Sequence, residues 1–196
     1  MAREESETGR APAAASTIAR LAVTLAALLA IQYLPVPARA VVSAAGALGL
    51  AVDGARKGSL DSSGAAAALL VGGLSLFASA RAAWSLIGFY LSASALTKMA
   101  QTFKQDVGDE YVAGGGRSWV QVFCNSAVPT ALAVAAWALG AGEVPLGSGT
   151  GGLTPAVSTA LWGGVLGYYA CCCGDTWASE VGVLSTAEPR LITTLR

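Results

Sequence analysis

Residues Gly64–Thr97 read GAAAALLVGGLSLFASARAAWSLIGFYLSASALT, an apolar stretch broken by one charge, Arg81. As a single α-helix it would overshoot the hydrocarbon core of a bilayer by roughly half again. Two helices in a tight hairpin, Ala65–Ala80 and Ala82–Thr97, fit the membrane better. Outward from this hairpin, further apolar runs of near-spanning length lie at Thr17–Leu34, Val36–Val52, Trp119–Gly140 and Thr154–Cys173. The chain therefore reads as an all-α, polytopic integral membrane protein with about six transmembrane helices.

Composition agrees. Of the 196 residues, 12% are charged and 54% hydrophobic, against about 25% charged in an ordinary soluble domain. So few charges cannot coat a water-soluble particle. The net charge of zero and the lack of a basic patch larger than Arg56-Lys57 argue against a nucleic-acid partner. With no histidine in the chain, Ser-His-Asp catalysis and His-ligated zinc are excluded.

Charge placement gives the topology. With the N-terminus cytosolic, the inner segments carry Arg3, Arg10, Arg20, Arg56, Lys57, Lys98, Lys104, Arg117, Arg190 and Arg196. The outer segments carry only Arg39 and Arg81, the bias expected of a multi-pass protein. Ala38-Arg39-Ala40 has the small-x-small form of a signal cleavage site. Pro35 and Pro37 and the acidic Glu4, Glu5 and Glu7 favour an uncleaved first span instead. Residues 1–15 are expected to be a disordered cytosolic tail, and 16–196 the transmembrane domain. Gly147–Gly152 satisfies GxGxxG, but no strand precedes it, so Ala141–Leu153 reads as a flexible outer connector. The four cysteines, Cys124 and Cys171 to Cys173, lack CxxC spacing and read as small packing residues.

Four polar clusters fall on the inner side: Asp53–Asp61; Ser92, Ser94, Thr97 and Lys98; Lys104 to Asn125, including Asp106, Asp109-Glu110 and Gly114-Gly115-Gly116-Arg117-Ser118-Trp119; and Gly174–Glu180. They offer carboxylates for a divalent cation, with Mg²⁺ the expected metal, and fixed cations and glycine amides for phosphate oxygens. Each also has a plain reading. The basic residues are ordinary topology determinants, and Asp175 is either an acid at the edge of an apolar run or a helix N-cap after Gly174. On one continuous helix Asp175 and Glu180 stand about 140° apart, so a shared ion needs a break near Gly174 or a partner such as Asp53 or Asp106.

The stretches DGARKGSLDSSGAAAALLVG (53–72), FYLSASALTK (89–98), EYVAGGGRSWVQVFCNSAVPT (110–130), CCCGDTWASEVG (171–182) and PRLITT (189–194) together resemble the transmembrane protein 19 family. Its chloroplast relatives are regarded as kinases that phosphorylate isoprenyl monophosphates with a nucleoside triphosphate. The branch most similar to this chain has no settled activity, and one plant member is described as glucose-responsive. The family pattern continues beyond PRLITT into a Gly/Asn-rich segment, so the chain is expected to be incomplete at its C-terminus. The resemblance and the clusters lead to one expectation: a transferase acting on an isoprenoid or lipid phosphate at the cytosolic interface of the bilayer. Asp175, Glu180 and Lys98 would be catalytic. Arg56, Lys57, Gly114, Gly115, Gly116 and Arg117 would hold phosphates, and Asp53, Asp106 and Asp175 the metal. The alternative is a non-catalytic membrane regulator or scaffold, whose polar clusters are topology signals and partner surfaces. A transporter ranks last, since ionisable residues near the mid-membrane are lacking.

Overall fold

The computed structural model describes residues 23–24, 26–107, 116–149, 152–182, 185 and 193–194, of which 101–107 in their backbone alone. After helical residues 26–31 come α1 (Val36–Arg56), α2 (Ser62–Ala78), α3 (Ala80–Val107), α4 (Trp119–Ala138) and α5 (Pro155–Gly182). Among the described residues there is no strand. Three helices, α1, α4 and α5, are long and apolar enough to cross a membrane, and α2 is a shorter apolar helix of 17 residues. Residues 1–15, and much of the expected first span, lie outside the described residues.

Local chemistry sets the helix ends. Pro35 caps α1, where a missing N–H costs nothing. The carboxylate of Asp61 accepts from the Gly64 N–H at 2.7 Å and so caps α2. The α2–α3 hairpin breaks at Ser79, two residues earlier than the charge at Arg81 would suggest. Ser79 is extended (φ −165°, ψ 138°), and its hydroxyl accepts from the Arg81 and Ala82 N–H groups. Ser118 and Gln121 form a reciprocal capping box at the start of α4. Pro129 lies inside α4 and withholds the N–H that Asn125 O would receive. The Cys172 thiol, 4.0 Å away on α5, faces that carbonyl, the kind of repair a neighbouring helix supplies to a Pro-containing span.

Two expectations need correction. The helix α5 continues unbroken through Gly174 to Gly182, so Asp175 is no N-cap. Nor is the outer connector loose over its described part. Glu143 Oε1 accepts from the Ala80 N–H at 2.8 Å, Arg81 donates to Val144 O at 2.7 Å, and the Gly147 N–H donates to Thr159. The cysteines divide: Cys172 and Cys173 pack on the core, whereas Cys124 and Cys171 are exposed on the bundle exterior.

The core is built from small side chains. Ala47, Ala51, Ala67, Ala82, Ala93, Ala133 and Ala136 are buried, and a methyl placed on Gly72 of α2 would sit 3.5 Å from Ala47 Cβ of α1. Close backbone approach through small residues is how helices associate in lipid, where burial against neighbours gains nothing over contact with acyl chains. Ser75 of α2 meets Thr130 of α4 at 3.1 Å in the buried interior. Large apolar residues such as Leu48, Leu70, Val128 and Val157 point outward, as a lipid-facing surface requires.

Exposed aromatics mark both ends. Trp119 and Trp177 lie at one end, Tyr33 and Trp137 at the other. Trp119 and Trp137 are eighteen residues apart on α4, about 27 Å along a helix axis, close to the roughly 30 Å of a hydrocarbon core flanked by aromatic belts.

The tightest junction is between the α1–α2 loop and residues 116–118. A Cβ on Gly64 would lie 1.9 Å from Arg117 O, and that carbonyl cannot swing away because Asp61 N donates to it. Gly64→Ala should therefore destabilise the protein by about 1–3 kcal/mol through overpacking. Gly174→Ala, with nothing within 4 Å of the added methyl, should stabilise it by up to about 1 kcal/mol of helix propensity. Thermal unfolding in detergent micelles reads both, and equal shifts of one sign would contradict the geometry.

Candidate functional site

Alternation of helix direction brings the α1–α2 loop, the later half of α3, residues 116–118 and the end of α5 to one end of the bundle. Backbone bonds join the α1–α2 loop to residues 116–118. Arg117 N donates to Ser59 O at 3.0 Å and Asp61 N to Arg117 O at 3.1 Å, an isolated bridge between Leu60 and Arg117. Side chains attach α3 and α5. Arg117 Nη1 donates to Ser94 Oγ at 2.9 Å, Thr97 Oγ1 to Glu180 Oε1 at 2.8 Å, and Trp177 Nε1 to Ser92 Oγ at 3.2 Å. Members of all four polar clusters thus meet at one end.

Beneath this junction lies a cavity of about 90 Å³. Its walls are apolar: Ala47 and Ala51 of α1, Gly72 of α2, Leu86 and Phe89 of α3, and Leu60 from the loop. Polar groups gather at one side, where Arg117, Tyr90, Gln121 and Asn125 line it. The Arg117 guanidinium is half-buried, stands 5.9 Å from the Tyr90 ring centroid, and makes no ion pair among the described residues. Burial pushes its pKa down, and the nearby Tyr90 and Glu180 push it back up. A guanidinium stays charged regardless, so its partial desolvation is a cost that an anion would offset. Arg117 is two residues from the belt residue Trp119, which puts it at head-group level.

The remaining candidates are placed as follows. Arg56 is exposed at the end of α1, and Lys57 forms a 2.7 Å ion pair with Asp53 on the exposed surface. Lys98 is exposed on α3, one turn beyond Ser94. Gly116 serves the backbone crossing, since a Cβ there would meet Leu60 C at 2.5 Å and Asp61 N at 2.6 Å. On α5, Asp175 is exposed and its carbonyl accepts from Ser179, while Glu180 is half-buried against Thr97. Because α5 is unbroken, the two carboxylates diverge. Asp106 belongs to the last turns of α3 with its side chain outside the described residues, and Gly114 and Gly115 lie outside them altogether. Among the described residues, no group of three or more His, Cys, Asp or Glu comes together to hold a metal ion.

Sequence reasoning missed two residues. Tyr90 precedes Ser94 and Lys98 by one and two helical turns, so the same i, i+4 pattern could have placed it on the site face. Glu143 is the sole acid of the connector 141–153, on the side that carries Arg39 and Arg81, and that isolation was its signal.

Residues 45–196 match the family model described as Integral membrane protein DUF92. The chain belongs to that family. A curated relative, Protein PGR of Arabidopsis thaliana, is 45% identical over 142 residues, which cover 72% of this chain and 48% of that protein. The chain thus spans about half the length of this curated relative. No solved structure matches. The DUF92 match confirms an integral membrane protein in contact with the lipid bilayer.

One pH dependence follows for this DUF92 bundle. The Gly64 N–H and the Ser63 hydroxyl donate to Asp61 and hold its carboxyl below the usual carboxylate range. A folded-state pKa below the unfolded value, about 3.9, gives stability that is complete above it and is lost as pH falls through the lowered value. Melting temperatures between neutral and acid pH should show that loss, and Asp61→Asn should flatten it. An unchanged profile in the variant would assign the acid sensitivity elsewhere.

Proposed function

We propose that this protein is a membrane transferase, or the ligand-binding part of one, that acts on an isoprenoid or lipid phosphate at the cytosolic face. One observation carries the reading: a half-buried Arg117 without an ion-pair partner among the described residues borders an apolar cavity at head-group depth. An amphiphile with an anionic head satisfies both halves, since its phosphate neutralises the guanidinium and its chain fills apolar space. Arg117, backed by Ser94 and Tyr90, is the phosphate-binding residue of this reading, and Lys98 and Arg56 supply further positive charge at the same end.

A nucleoside triphosphate and Mg²⁺ belong to the proposal as co-substrate and cofactor. Mg²⁺ in phosphate sites takes only one or two protein carboxylates, with phosphate and water completing the shell. Asp175 and Glu180, diverging on α5, suit a share of that size and not a full cage. When bound, the ion would neutralise charge developing on the phosphoryl oxygens. The second reading, a non-catalytic regulator or scaffold, is favoured by the engagement of Asp53 with Lys57 and by the lack of a three-acid group among the described residues.

Purified protein in lipid nanodiscs should bind a labelled prenyl phosphate, and Arg117→Ala should weaken binding about tenfold or more, the loss of a charge-assisted contact. Absence of labelled phosphate transfer from a nucleoside triphosphate, with an established isoprenyl-phosphate kinase as a positive control, would favour the scaffold. Equal binding by the variant would remove the anion site.

A further inference from the structure

Within the site just proposed, and resting on that reading, we infer that the protein grips only the head and the first few chain carbons of its ligand and leaves the rest of the tail in the bilayer. The cavity measures about 90 Å³, smaller than the roughly 150 Å³ of a cavity that takes one benzene. An isoprenoid or acyl tail is far longer than that and must leave. Its way out is set by helix packing. Among the described residues, α1 packs on α2 and makes no direct backbone contact with α3, although both helices wall the cavity. On the outer half of this seam, Leu28 and Ile31 pack with Ala47, Leu76, Ala83 and Ile87. Nearer the Arg117 end Leu50 of α1 lines the cavity and is exposed, with Ile87 and Tyr90 of α3 also in the lining; beyond it, at Gly54, the Tyr90 hydroxyl reaches α1.

Recognition then depends on the region next to the head. Ala47, Ala51 and Gly72 are small where they line the cavity, and their size decides how much branching near the phosphate is admitted. Among the described residues, none that lines the cavity measures tail length. The chemical class is a single-chain anionic amphiphile of unrestricted length, delivered laterally from the membrane.

A series of straight-chain monoalkyl phosphates from butyl to eicosyl, competed against a photoactivatable alkyl phosphate in nanodiscs, tests this. After correction for partition into the bilayer, affinity should rise over the first members and then vary by less than about threefold. A continued rise to a sharp length optimum would show a closed tunnel and overturn the inference. Leu50→Trp, which plugs the seam, should weaken the long members about tenfold and spare butyl phosphate; equal effects on both, or none on either, would remove the lateral exit. Arg117→Ala keeps the two readings apart. If it weakens the whole series while the length optimum is sharp, only the present inference falls. If it weakens no member, the phosphate site itself falls.

Discussion

The crossing of two backbones at Leu60 and Arg117 is the constraint on which the site end of this bundle depends. The α1–α2 loop and residues 116–118 must pass within hydrogen-bonding distance. The Arg117 N–H and C=O are both used, by Ser59 and Asp61, and Gly64 and Gly116 are glycine because any side chain would strike the opposing backbone. The crossing fixes α2 against α4 at one end and aims the Arg117 side chain at α3. Without it, Ser94 on α3 would have no tie to the 116–118 segment, and the cavity would lose the residue that makes it polar at one side.

The opposite end is held by a different device, which explains the two exceptions to the charge bias. Arg39 donates to the carbonyls of Phe77 and Ala78, orphan acceptors at the C-terminus of α2. Arg81 donates to Val144 O, stacks 4.8 Å from the Trp162 ring centroid and approaches Glu143 at 3.9 Å. Both arginines sit on the side where positive charge is rare because they terminate helices and anchor a connector. Their cost near lipid is lowered by backbone carbonyls and a carboxylate at a membrane edge.

What the sequence revealed, and what it hid, follows from the range of each signal. The hairpin within 64–97 was legible because one bilayer thickness cannot hold one helix of that length. Class and end-to-end polarity were legible because apolar runs and alternating charge are long-range patterns. The break at Ser79 was not, since its cause is a single hydroxyl capping the next helix, while the eye goes to the charge at Arg81. The continuity of α5 through Gly174 was hidden for the opposite reason. A glycine and an aspartate together look like a helix end, yet Trp177 bonding to Ser92 and Glu180 to Thr97 keep the last turns docked on α3. Of the candidate site, sequence supplied the residues but not their pairing: Asp53 turns out to face Lys57, and Gly116 a backbone.

Three arginines among the described residues are drawn against the protein, and their partners differ. Arg39 ends on two main-chain carbonyls at a helix end, and Arg81 on the Val144 carbonyl with Glu143 beside it, its Nη1 buried without a hydrogen-bond partner among the described residues. Arg117 ends on Ser94, a hydroxyl that can rotate to donate or accept elsewhere. Its ring neighbour Tyr90 supplies a polarisable face without competing for the charge. A guanidinium used only as mortar would be expected to find a carboxylate in ion-pair contact or a set of carbonyls; Arg117 has one hydroxyl, with the Glu180 carboxylate near enough to favour its charge but not paired with it. The backbone of Arg117 builds the junction, and its side chain, without an ion-pair partner among the described residues, lies beside apolar space. That combination, more than any acidic residue at this end, is what supports the proposed site for an anionic amphiphile.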